Sequence, residues 1–78
     1  MELDGSVNIR DMETLYHVEL PHDEGFETLA GFIMAHLQRV PQTGDSFEFG
    51  GRRFTVVRMQ GHRVARVKIE EEKQVASG

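Results

Sequence analysis

The side chains in this chain that could carry a proton, a metal or a phosphate are four histidines, thirteen acids and nine Lys/Arg, with no cysteine. The histidines, His17, His22, His36 and His62, form no H-x-x-x-H pair, and His17 and His22 are separated by Pro21 at a spacing that fits no common ligand geometry. They read as surface or loop residues. His22-Asp23-Glu24 has the oxygen donors for a loosely held Mg²⁺, which needs little protein and leaves little signature. Ser6, Ser46 and Ser77 fall in strand, strand and tail contexts, without the strained elbow that exposes a catalytic serine. Gly50-Gly51 opens no helix, so the phosphate cradle of glycine-rich loops does not apply. The expectation is a protein with no catalytic residues, no metal site and no cofactor.

The arginines are the exception to this lack of pattern. Residues 1 to 48 hold ten acids and two bases, whereas residues 52 to 68 hold six bases and no acid. A basic hairpin beside an acidic remainder offers Arg52, Arg53, Arg58, Arg63 and Arg66 as a candidate interaction surface for phosphate, lipid headgroups or an acidic partner. The plain alternative is that they are solvated strand faces answering nearby acids. Nucleic acid is not an expected partner: Phe54 shares the parity of Val56 and reads as core, and the net charge of −4 opposes non-specific binding.

Seventy-eight residues make a single domain, expected here to be ordered over about 4–70 with a frayed tail at 71–78. With no disulfide or structural metal in prospect, packing alone, or packing with help from a partner, must hold it together. The longest nearly apolar run, Leu29 to Ala35, is far short of the ~20 residues a membrane span needs. The opening MELDGS is too acidic and polar for a signal peptide.

Ser6 to Arg10 alternates as a half-buried strand, and Asp11 is placed to cap a short helix from Met12 to about Tyr16, with Met12, Leu15 and Tyr16 on one side. The stretch from Phe26 to Asp45 carries the main helix. Phe26, Leu29, Ala30, Ile33, Leu37 and Val40 form one stripe of about four turns, with Asp23 and Thr28 both suited to the N-cap and Pro41 stopping the helix after Val40. Gly31 inside that helix implies close approach of its backbone to a sheet. Three strands follow. They are Ser46 to Phe49, Arg53 to Gln60 and Arg63 to Ile69, joined by tight turns at Gly50-Gly51 and Gly61-His62. Phe54 and Val56 share one face, Val57 and Met59 the other, and Ala65, Val67 and Ile69 align. The fold class is therefore α+β: a two-layer sandwich of about four antiparallel strands with one main and one short helix on one face.

Thr28-Leu29-Ala30-Gly31, Val40-Pro41, Gly44-Asp45 and Phe54-Thr55-Val56, with Asp4-Gly5-Ser6 and Leu20-Pro21 ahead of them, resemble the transporter-associated domain of CorC/HlyC-type proteins, the magnesium and cobalt efflux and hemolysin-like family. The match runs over roughly residues 4 to 70. The resemblance implies the C-terminal part of a longer membrane protein, at the cytoplasmic face of the cell membrane, behind a membrane region and a CBS domain pair that would be its partners. It implies a non-enzymatic regulatory or interaction domain that modulates ion transport. Thr28, Leu29, Ala30, Gly31, Pro41, Gly44 and Asp45 are then structural. The alternative is a small-ligand sensor binding an adenine-type nucleotide through the same arginines. A free sheet edge could also pair with a second copy of the chain.

Overall fold

The computed structural model describes residues 1–21 and 25–71. Strand β1 (Glu2–Asp4) is followed by helix α1 (Ile9–Tyr16), helix α2 (Leu29–Leu37), and strands β2 (Ser46–Phe49), β3 (Arg52–Gln60) and β4 (Arg63–Glu71). The strands form one antiparallel sheet in the order β1-β4-β3-β2, so β1 and β2 are its edges. The architecture is the α+β two-layer sandwich that periodicity indicates, with a sheet running from Glu2 to Glu71.

The N-terminal elements differ from expectation. The first strand lies at Glu2–Asp4 and not at Ser6 to Arg10, because Asn8, not Asp11, caps the first helix: its side-chain oxygen accepts the Arg10 N–H at 2.8 Å. Starting at Ile9 turns Ile9, Met12 and Tyr16 to the core and leaves Leu15 64% exposed. The short α1 and the buried Val18 and Leu20 that follow it close one side of the core.

Helix α2 is shorter than its apolar stripe. Thr28 is the N-cap, with Oγ1 accepting the Gly31 N–H at 3.1 Å, and Gln38 ends the helix in the left-handed region at φ 58°. Phe26 therefore precedes the helix, and Val40, 46% exposed, lies beyond it. The buried face is Leu29, Ala30, Phe32 and Ile33. Phe32, absent from the predicted stripe, is its hub: its ring lies 5.0 to 6.0 Å from those of Phe26, Phe47, Phe49 and Phe54. These are all five phenylalanines of the chain. Edge-on and tilted pairs at such distances add to burial.

Gly31 does not meet the sheet. A Cβ there would lie 3.0 Å from the Phe26 Cβ and 3.4 Å from the Thr28 Oγ1, so the crowding comes from the segment leading into α2. The close approach belongs to Gly5. A Cβ at that position would overlap the Val64 carbonyl oxygen and sit 3.3 Å from the Ala30 Cβ. Gly5 also donates to the Ala65 carbonyl and accepts from the Ala30 N–H, each at 2.9 Å, tying β1, α2 and β4 at one point.

The β3–β4 hairpin contains two register shifts. Val56 faces Val67, but Arg58 faces Arg66 and Met59 faces Val64, leaving Val57 extra on β3 and Ala65 extra on β4. Each strand's in–out alternation is reversed once, on β3 at Val57 and on β4 at Ala65, while the pairing register moves by one residue and returns. Met59 thus packs on the core instead of sharing a face with Val57, and Val64 takes the core position expected of Ala65. Every buried side chain among the described residues is apolar or glycine, and none leaves a polar atom unsatisfied.

Candidate functional site

One face of the sheet carries the helices and the other is open. Residues paired across antiparallel strands share a face, so the register assigns each side chain of the open face. Three rows result: Glu48, Arg53 and Glu70; Ser46, Thr55, Lys68 and Glu2; and Arg58, Arg66 and Asp4. Gln60 and Arg63 pair beyond them, at the β3–β4 turn.

The five candidate arginines divide between the two faces. Arg52 shares the parity of the buried Phe54 and Val56, lies on the helix side, and donates its Nη2 to the His17 carbonyl at 3.1 Å, holding the C-cap of α1. Arg53, Arg58, Arg63 and Arg66 are brought together on the open face. Arg53 donates to Glu48 Oε2 at 3.3 Å, and Arg66 Nε to Glu2 Oε1 at 3.2 Å; Lys68 and Glu70 approach to 3.7 Å along β4. These exposed pairs contribute ~1 kcal/mol each at most. Arg58 and Arg63 make no hydrogen bond or ion pair with the described residues.

The acids Glu2, Asp4, Glu48 and Glu70 and the base Lys68 belong to this face as much as the arginines do. Composition by segment missed them, because a basic hairpin is basic only until neighbouring strands pair with it. The tight Gly50-Gly51 turn already carries a signal for Glu48 opposite Arg53, since a two-residue loop sets the register next to it.

The motif residues sit where the backbone turns. Leu29 is fully buried, and the N–H groups of Leu29, Ala30 and Gly31 donate to the Val7 carbonyl, the Gly5 carbonyl and Thr28 Oγ1. The start of α2 therefore has no donor left in its first turn for an anion. Pro41 is buried. Gly44, at φ 99°, donates to the Val56 carbonyl, and the Asp45 carbonyl accepts the Val56 N–H, each at 2.8 Å, fastening the loop to β3. Asp45 Oδ2 accepts from Arg39 Nη1 at 2.9 Å and from the Gln42 N–H at 2.7 Å. The Arg39 bond, then the Gln42 N–H, holds this carboxyl below the usual aspartate range. Asp4 is lowered in the same way by the Ser6 hydroxyl and N–H, with smaller contributions from Arg66 and Arg63.

Among the described residues no group of three or more His, Cys, Asp and Glu is placed to hold a metal ion. His36 stacks on Phe47 at 4.4 Å and 22°, His17 forms the C-cap of α1, and His62 sits in the exposed β3–β4 turn. His22-Asp23-Glu24 lies outside the described residues.

Fold and face together define a small two-layer α+β domain with an apolar core, one sheet face under helices and the other open and charged. The chain belongs to the transporter-associated domain family, CorC_HlyC, whose model matches residues 1–73. It is 31% identical over 68 residues to the polyamine export protein of Escherichia coli K12, covering 86% of this chain and 15% of that protein. The chain therefore corresponds to a small part of the curated relatives it matches. A conserved domain from Neisseria meningitidis MC58 superimposes with a TM-score of 0.79 at 33% identity, over 91% of this chain and 95% of that one. A region associated with a proposed Mg²⁺ and Co²⁺ transporter (CorC) from the same organism shares the fold, with a TM-score of 0.80 at 24% identity over 90% and 85%. No helix among the described residues is long and apolar enough to cross a membrane.

Proposed function

We propose that this chain is a non-enzymatic regulatory domain of a cation-transporting membrane protein and acts at the cytoplasmic face through the open side of its sheet. The observation that carries this reading is the division of labour in the structure. The motif residues and Arg52 are occupied in holding the fold, while Arg53, Arg58, Arg63 and Arg66 stand on a face that none of the described residues covers. A CBS domain pair and the membrane region of the parent are the partners such a face would meet. The cargo is cationic, of the magnesium or cobalt type. The relatives support a cation by the polyamine and Mg²⁺/Co²⁺ transport in their names.

The test is transport by the parent protein. Deleting this domain, or replacing Arg53 and Arg66 together by Glu, should change the rate or ion dependence of transport while leaving membrane insertion intact. Unchanged transport after both changes would overturn the reading. Crosslinks from the open face to the CBS pair would identify the contact.

A second reading, a small-ligand sensor, is favoured by one observation: Arg58 and Arg66 lie directly opposite each other with no acid between them. In a thermal-shift panel of adenine nucleotides, a ligand at 100 times its dissociation constant should add about 2.7 kcal/mol of stability. No shift with any nucleotide would end this reading. The free edges β1 and β2 also leave room for a homo-oligomer, which sedimentation over a concentration series would detect.

A further inference from the structure

The geometry points to a binding site for a phosphate-class anion at the turn end of the open sheet face, held by Arg58, Arg63 and Arg66. The bulges create this site. Without the extra residue at Val57, strict alternation from the buried Val56 would return Arg58 to the core side; with it, Arg58 stands on the open face directly opposite Arg66. Arg63, paired with Gln60, is one outward row further toward the turn. Opposite residues are about 5 Å apart and successive outward rows about 7 Å, so three long guanidinium side chains can converge on one group.

Like charges directly opposite on antiparallel strands destabilise the pairing. The face avoids this elsewhere, setting Arg53 between Glu48 and Glu70 and Lys68 beside Glu2. Only the Arg58 row places base against base. Asp4 faces Arg66 from β1, but its Oδ1 already accepts both the N–H and the hydroxyl of Ser6. Glu2 takes only Nε of Arg66, leaving the other guanidinium donors. Glu2 and Asp4 set two carboxylates against the three arginines, so the cluster keeps a local charge of +1, and Lys68 is occupied with Glu70. The guanidiniums of Arg58 and Arg63 keep all their donors, more than the two oxygens of a carboxylate can take up. A phosphate monoester near neutral pH carries about −1.5 to −2 and offers several acceptor oxygens to planar guanidinium forks.

This inference rests on the open face being the working surface, yet it can fail separately. The titration below can be negative while deletion of the domain still alters transport, and the reverse can also hold. The 78-residue chain is titrated with inorganic phosphate and pyrophosphate at constant ionic strength while the arginine Nε–Hε resonances are followed by NMR. Saturable shifts are expected at Arg58, Arg63 and Arg66, with Arg10, Arg39 and Arg52 unmoved. Arg58→Glu should weaken binding at least tenfold and raise the melting temperature, because it removes the like-charge pair; a variant that merely unfolded would melt lower. Co-sedimentation with vesicles containing phosphatidic acid but not with pure phosphatidylcholine, lost in Arg58→Glu, would assign the phosphate to a lipid headgroup. Saturable shifts without vesicle binding would assign it to a soluble phosphate compound. Parallel, unsaturating movement of all arginines, or undiminished binding by Arg58→Glu, would overturn the site.

Discussion

Asn8 and Thr28, the N-caps of the two helices, face each other across an isolated antiparallel bridge. Each helix is started by the segment leading into the other. The Ile9 N–H donates to the Glu27 carbonyl, and the Leu29 N–H to the Val7 carbonyl, at 2.8 and 2.9 Å. First-turn donors that a helix cannot satisfy internally are shared between the pair. Replacing either cap by Ala should cost about 1 kcal/mol, lowering the melting temperature by roughly 4–8 °C. The double variant should depart from additivity, since both caps support one bridge. Strict additivity in thermal denaturation would show that the helices start independently.

Gly5 and Gly31 separate two kinds of glycine. Gly5→Ala forces a methyl into the Val64 carbonyl and should cost roughly 2–3 kcal/mol. Gly31→Ala gains up to about 1 kcal/mol of helix propensity against a 3.0 Å contact with the Phe26 Cβ, so the two effects nearly cancel. Urea denaturation of the two variants should rank Gly5→Ala as clearly the less stable.

Phe32→Ala removes the hub of the aromatic cluster and should destabilise by about 3–5 kcal/mol. Phe47→Ala should cost less, because Phe47 is half-buried on the edge strand β2. A smaller loss for Phe32 than for Phe47 in equilibrium unfolding would refute the hub.

Asp45 and Asp4 both have carboxyls held below the usual aspartate range. A lowered folded-state pKa means that the unfolded chain binds the proton more readily. The stabilisation is therefore present above the unfolded aspartate pKa of about 3.9 and is lost as pH falls through the folded value. Melting temperature should decline on acidification below about pH 4. Asp45→Asn should flatten that decline while lowering stability at neutral pH, because it loses the charge facing Arg39. An unaltered acid limb in Asp45→Asn would show that this carboxyl is not linked to folding.

How much was legible beforehand follows from the range of the forces involved. The turns at Gly50-Gly51 and Gly61-His62 are local, and the three strands they separate are read almost to their ends. The helix limits are less legible because both helices end on non-glycine residues in the left-handed region, His17 at φ 59° and Gln38 at φ 58°. Such residues pay for that conformation with contacts made elsewhere, so no local glycine marks the stop. Asn8 and Leu15 were misplaced for a related reason: an alternating Val7-Ile9 pair looks the same whether a strand continues or a helix begins there.

By itself, the sequence determined the α+β class, the meander of three strands, the helix N-cap at Thr28 as one of two choices, and a charge asymmetry that isolates the arginines. These depend on short-range propensity and on periodicity, which a linear chain carries in full. Tertiary structure alone decided which arginines share a face. That depends on a residue being extra at Val57 and another at Ala65, and on β1 bringing Glu2 and Asp4 against a strand more than sixty positions away. Parity along a strand is reversed by a single bulge, and no local residue preference reveals where pairing slips, so the open face with Arg58 against Arg66 exists only once the sheet has formed.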